Sequence, residues 1–320
     1  MNIRSYFSIL ILGLLFFFVP LVWQSNELNN FLIYTIIIAL GATGWNLLGG
    51  IAGQTSFGHA AFFGVGAYAT SLWQINLGMG AWSGFFLAIG AGALVGWVIG
   101  YLSFRAGLRG SYFALVTLAF AEVLRVLSNS FSFTGGAAGK LLEIKLGFMN
   151  FQFESRLHFY WIVLFVMMVA LLLVSWLVRS RFGAQLIAIR ENEEAAKALG
   201  VDTFTRKLQA ISLSGAITAS AGALYVQYFL YIDPILVFGP KVSIEVLLAT
   251  MVGGLGTVLG PLVGALALHT LGEVVKLFTG GVPGVDVAVY GAVLVIAVCF
   301  MPRGLLSLVE RYQLRRQSIK

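Results

Sequence analysis

The side chains that could do covalent or metal chemistry are few and isolated. His59, His158 and His269 each stand alone, and the single cysteine, Cys299, sits in an apolar run. A catalytic metal needs several converging ligands and a nucleophile needs an adjacent base. No Cys-x-x-Cys, metal-ligand cluster or Ser/His/Asp grouping supplies either, so neither an enzyme nor a metal site is expected. Cys299 reads as a small buried hydrophobe, and no disulfide framework exists. One stretch imitates a phosphate-binding loop: Thr134-Gly135-Gly136-Ala137-Ala138-Gly139-Lys140-Leu141. It lacks the first glycine (Thr134), lacks the terminal Ser/Thr (Leu141), and has no strand–loop–helix setting. ATP chemistry is therefore not expected within this chain.

What remains is polarity in apolar surroundings. Gly49-Gly50-Ile51-Ala52-Gly53-Gln54-Thr55-Ser56-Phe57-Gly58-His59 gathers glycines and polar side chains between two hydrophobic runs. Such backbone is tolerated at membrane depth only against protein or a wet cavity. We read it as a helix break, with Gln54, Ser56 and His59 lining an interior or, for His59, bonding to a neighbouring group. A second break, Gly253-Gly254-x-Gly256-x-x-x-Gly260-Pro261, lies far along the chain. Two glycine-broken spans in roughly corresponding halves point to a central path in transporters. Glu122 and Arg125 share a helix face within an apolar run and form a candidate charge pair, structural or part of a gate or subunit contact. Glu245 and Glu273 lie nearer span ends, where they are expected to reach polar headgroups.

The stretch 179–207 is the longest hydrophilic loop on its side of the chain. Within it Arg190-Glu191-Asn192-Glu193-Glu194-Ala195-Ala196-Lys197-Ala198-Leu199-Gly200 is rich in helix formers. Acids precede Lys197, as the helix dipole favours, and Gly200 suits a C-terminal stop. The expectation is a short surface helix with a face of Ala195, Ala198 and Leu199.

The elements that must position these residues are membrane helices. Of the 320 residues 59% are hydrophobic and only 10% charged, against roughly 25% charged in soluble domains. Lipid is the solvent for most of the exterior, and the 38 glycines are spread through apolar runs where helices can approach closely. Runs long enough to cross hydrocarbon are Tyr6–Val22, Phe31–Leu48, Phe57–Ile75, Trp82–Phe104, Tyr112–Ser130, Phe159–Val178, Leu208–Leu230 and Val287–Met301. Val242–Phe278 is long enough for two more, giving an all-α polytopic bundle of about ten spans, or eight to nine if short pieces only re-enter. It forms a single membrane domain over 1–320, with a loop at about 179–207 and a tail at about 302–320. Fourteen of the 20 Lys and Arg residues then fall on one side, which by the positive-inside rule places both termini in the cytoplasm. The net charge of +7 is a topology signal, and nucleic acid is not needed to explain it.

Over most of its length the chain resembles the permease subunits of branched-chain amino acid ABC importers, of the LivM type. The resemblance rests on Gly53-Gln54-x-Ser56-Phe57-Gly58-His59-Ala60-Ala61-Phe62, Thr134-Gly135-Gly136, Ala188-Ile189-Arg190-Glu191-Asn192-Glu193-x-Ala195-Ala196-x-Ala198-Leu199-Gly200 and Gly253-Gly254-x-Gly256-Thr257-x-x-Gly260-Pro261. Glu194-Ala195-Ala196-x-x-x-Gly200 looks like the EAA loop through which such permeases dock on their ATPases, with Ile211-x-Leu213 following and Ser214 in the place of a proline. The resemblance implies a bacterial inner-membrane importer in which this chain hydrolyses nothing and binds no cofactor. Its partners would be a related second permease, two cytoplasmic ATPase subunits that bind ATP and Mg²⁺, and an external substrate-binding protein. Leu, Ile and Val are the implied substrates, with urea or short amides as the alternative; an ion-coupled transporter working alone is the rival class.

Overall fold

In a computed structural model the chain is described over residues 3–23 and 25–279, with positions 284–285, 288–289, 291–292 and 304–305 beyond them. Apart from those positions, the expected span Val287–Met301, Cys299 and the tail 302–320 lie outside the described residues. The described part is an all-α bundle. Its long helices are α1 (Ile3–Val22), α2 (Asn26–Trp45), α3 (His59–Leu77), α4 (Ala81–Arg105), α5 (Gly110–Ser130) and α6 (Arg156–Arg179). Two short helices follow, α7 (Arg181–Glu191) and α8 (Glu193–Ala198), then α9 (Thr203–Phe229), α10 (Pro234–Phe238), α11 (Pro240–Gly253) and α12 (Gly260–Thr279). Among the described residues six helical segments are long and apolar enough to cross a membrane: Asn26–Ile51, Ala81–Arg105, Gly110–Ser130, Arg156–Arg179, Pro234–Gly253 and Gly260–Thr279. The long apolar stretch 242–278 does form two helices, parted at the second glycine cluster.

The centre of the bundle is α9, packed between α2, α3 and α4. Covered on several sides by protein, α9 can carry Ser212, Ser214, Thr218 and Ser220, whose hydroxyls donate to nearby carbonyls of α9 itself and of α2. Close approach replaces hydrophobic bulk as the source of cohesion. A Cβ at Gly96 of α4 would lie 2.7 Å from the Ile211 carbonyl oxygen, and one at Gly222 of α9 would lie 1.9 Å from that of Phe63. At one end, β1 (Lys140–Leu141) pairs antiparallel with β2 (Tyr231–Ile232), in the register Lys140 to Ile232, tying the loop after α5 to the end of α9. The P-loop-like stretch belongs to this cap. It folds as 3-10 turns and a two-residue strand, with Lys140 Nζ bonded to the Phe133 carbonyl oxygen at 2.6 Å. At the opposite end lie the 179–207 loop and both glycine breaks.

Candidate functional site at the basic end of the bundle

The first break begins where α2 runs into a π-helical turn, Asn46–Ile51. Widening the turn puts carbonyls out of α-helical register, and the chain then passes through 52–58 before α3 starts at His59. Trp45 Nε1 holds this segment by donating to the Ser56 carbonyl at 2.7 Å. The orphan amides at the start of α3 find side-chain acceptors: Gly58 N–H donates to Ser56 Oγ and Ala60 N–H to Ser243 Oγ of α11. His59 is fully buried, with Nδ1 3.1 Å from Ser56 Oγ and Nε2 2.8 Å from Ser214 Oγ. Ser214 Oγ gives its only proton to the Gly44 carbonyl (2.7 Å), so it must accept from His59. That places a hydrogen on Nε2 of His59. Ser56 and His59 are thus sealed into the junction of α2, α3 and α9 and do not line an interior space, whereas Gln54 is half-buried, its amide on the Ala52 carbonyl.

The second break sits directly against the first. Asn46 bridges them: its Nδ2 donates to the Thr257 carbonyl and its Oδ1 accepts from Gly256 N–H, each at 2.8 Å. Gly253, Gly260 and Gly264 bring α11 and α12 so close that a Cβ at Gly253 would lie 1.8 Å from the Gly260 oxygen, while Gly254 and Gly256 adopt positive φ. Pro261 opens α12 without leaving a helix amide unsatisfied.

Onto this junction comes Arg190, the penultimate residue of α7. Its Nη1 donates to the Gly50 carbonyl at 2.9 Å, while Nε and Nη2 grip Glu191 at 3.1 and 2.7 Å. Its stem crosses Gly53, where a Cβ would lie 2.5 Å from Arg190 Cγ, and its guanidinium passes Gly256, where the corresponding gap is 3.2 Å. Only glycine serves at Gly53, since φ is +71° and the arginine fills the space of a side chain. The loop and both breaks are therefore one structure.

The surface helix is divided where one helix was expected. Asn192 leaves helical geometry, ends α7 and caps α8 by accepting from Ala195 N–H at 3.0 Å. Gly200, at φ +85°, closes α8 as a Schellman cap, with Gly200 N–H on the Lys197 oxygen and Val201 N–H on that of Ala196. Ala196 faces inward, while Ala195, Ala198 and Leu199 remain exposed, Leu199 to 84%. Glu193 fastens α8 to the bundle through Lys207 of α9 (2.8 Å), Thr203 (3.3 Å) and Arg109 (3.5 Å). Lys207 also lies over the Phe104 ring at 4.8 Å. Burial works against ionisation of Glu193, but Lys207, Arg109 and Lys197 outweigh it and hold the carboxyl below its ordinary range. Glu194 is more exposed and is held low by Arg109 at 2.8 Å, then by Lys197.

Two expected site residues lie elsewhere. Glu122 and Arg125 pair with each other on α5, on a face turned away from this junction that the other described residues leave partly open. Glu245, expected near headgroups, is instead buried in the bundle, accepting from Tyr34 at 2.7 Å beside Lys241 at 3.9 Å. The reason is that α11 packs against α2 and α12 there, so its end meets protein before it meets the surface. Glu273 stays exposed, paired with Lys276. Asn46, Ser214, Arg109 and Lys207 escape a reading of the sequence. The one hint was Asn46, an amide within an apolar run with no local partner.

The residues matched by the family model described as "Branched-chain amino acid transport system / permease component" are 28–298. The chain is 27% identical to the high-affinity branched-chain amino acid transport system permease protein LivM of Salmonella typhimurium over 89% of its length and 71% of that protein, and the match to LivM of Escherichia coli has the same extent. It is also 25% identical to the probable branched-chain amino acid transport permease protein LivH of Methanocaldococcus jannaschii, over 86% and 88% of the two chains. With well over half of its length matched by that family model, the chain belongs to the branched-chain amino acid transport system permease family.

Proposed function

We propose that this chain is the membrane-spanning permease of an ATP-binding-cassette importer for branched-chain amino acids. It crosses a bacterial inner membrane about ten times with both termini in the cytoplasm. A related second permease completes the path, two cytoplasmic ATPase subunits bind ATP and Mg²⁺, and an external binding protein delivers substrate. The observation that carries the reading is the continuity of the basic end: an exposed small-residue face on α8, fixed through Glu193 to the α4–α5 turn and α9, beside Arg190 on both helix breaks. An apolar helix face rimmed by charge suits a groove on a partner.

The chain's own residues then act as a lever. Displacement of α8 by its ATPase partner pulls α9 and the α4–α5 turn through Glu193, Lys207 and Arg109. Displacement of Arg190 tilts the α2–α3 and α11–α12 junction, which Asn46 joins into one body. Alternating access follows from that rocking, with no covalent step in this subunit. The names of the relatives supply the substrate class.

Leu199→Asp tests the reading. Leu199 is exposed, so the substitution leaves folding intact while putting a charge on the docking face. The expected result is loss of ATPase co-purification and of ATP-dependent leucine uptake in proteoliposomes, with an unchanged melting temperature of the permease. Full uptake by the variant, or uptake by the wild type without any ATPase, overturns it.

A further inference from the structure

The charge pair on α5 has no part in the lever. Arg125 Nε donates to Glu122 Oε2 at 2.9 Å and Nη2 to Oε1 at 2.5 Å, a two-pronged bridge within one helix face. Starting from Gly110, Glu122 stands about 18 Å along a helix about 31 Å long, near mid-membrane. Its side chain is nevertheless 49% exposed and that of Arg125 27%. α5 has the smallest buried share of the six apolar segments, 22% of its most apolar window. Arginine has five N–H donors, and Glu122 takes two. Among the described residues the others have no hydrogen-bond partner. A charge at the bilayer centre costs about 2.5–3.5 kcal/mol even on the lowest scales, and charges there face protein or a watery path rather than lipid. One turn to either side of Glu122 the same face is apolar, with Leu118 and Val126 both exposed.

An anion, a cation and an apolar flank at mid-depth complement a zwitterion with a hydrocarbon side chain. We propose that Glu122 and Arg125 are a substrate-binding pair on the translocation path: Arg125 takes the carboxylate and Glu122 the α-ammonium of the amino acid, and the branched side chain rests on Leu118 and Val126. Between passages the two side chains neutralise each other, so the site is never left with an uncompensated charge. This rests on the reading of the chain as an amino-acid permease, and it places the uncovered face of α5 at the path shared with the second permease.

The test uses the full complex of both permeases and the ATPases in proteoliposomes, with the binding protein and radiolabelled leucine. The double variant Glu122→Gln/Arg125→Gln removes both charges and leaves neither orphaned. The expected result is normal assembly and normal basal ATP hydrolysis, with kcat/KM for leucine uptake reduced at least tenfold. Wild-type uptake by the double variant would show the pair to be mutual neutralisation only and overturn the proposal. If the double variant does not assemble, Arg125→Lys decides. That variant keeps the charge but shortens its reach and loses the fork, so KM should rise several-fold, and an unchanged KM overturns the proposal. Failure of the wild-type complex to take up leucine at all overturns the substrate reading instead, so the two failures are distinguishable.

Discussion

Replacing Arg190 by glutamine removes the direct bond between α7 and the first helix break while leaving both helices their propensity. Glutamine is too short to reach the Gly50 carbonyl from the same backbone position, so the 2.9 Å charge-assisted bond is lost and a buried carbonyl in the π-turn is left without its donor. A hydrogen bond to a charged group contributes about 1.5–3 kcal/mol. The Arg190 side chain is 37% exposed, which argues for the lower part of that range, so the latch should weaken by about 2 kcal/mol. At 1.4 kcal/mol per tenfold, the ratio of latched to released loop falls about 30-fold. Two measurements follow. Hydrogen exchange at amides 50–58 should speed up by about that factor, because their segment loses its outer support. Leucine taken up per ATP hydrolysed should fall in the reconstituted importer while hydrolysis continues, because α8 still docks but no longer moves the junction. Arg190→Lys should fall between, since an ammonium can reach one acceptor but cannot hold Gly50 and Glu191 together. Unchanged exchange at 50–58 together with unchanged uptake per ATP in Arg190→Gln would refute the latch.

Three further outcomes are expected. Lys207→Met leaves Glu193 largely buried with the Thr203 hydroxyl and, as cations, only the more distant Arg109 and Lys197, and should destabilise the loop by about 2–3 kcal/mol, below the full cost of breaking a buried pair. Adding Glu193→Gln should recover most of that in thermal melts, and no recovery would dissolve the pair as the cause. The depressed carboxyl of Glu193 contributes stability that is present above the ordinary glutamate range and is lost as pH falls through its lower folded value. Exchange protection of α8 should therefore hold from neutrality to about pH 5 and fail only below about pH 4; release between pH 5 and 7 would contradict it. Gly96→Leu drives a side chain into the Ile211 backbone, 2.7 Å from the new Cβ, and should cost about 3 kcal/mol and much of the monodisperse protein. Gly90→Leu on the same helix meets nothing within 4 Å and should be silent in the same size-exclusion assay.

Short-range information in the sequence settled the features that depend on short-range physics. Hydropathy marked the apolar helices, because a polar backbone in lipid must bond within its own segment. Gly200 ended α8 where a left-handed residue was needed, and the glycine clusters at 49–58 and 253–260 parted the helices they were expected to part. Asn192 was misread because an amide can either continue a helix or cap the next one. The choice fell to the cap once Glu193 was drawn toward Lys207 and Arg109.

Everything that makes these pieces a site required the tertiary structure. Asn46 meets Gly256 and Thr257 across 210 positions of chain or more, and Arg190 meets Gly50 across 140. No local propensity encodes either meeting, because which face of a helix is covered depends on the helix packed against it. The same reason buries Glu245 under α2 and α12, seals His59 between Ser56 of the first break and Ser214 of α9, and leaves Glu122 and Arg125 partly open among the described residues of the bundle. The sequence determined a membrane bundle with two glycine breaks and a capped surface helix. Only packing decided that the breaks touch, that the loop reaches them, and which charges stay uncovered.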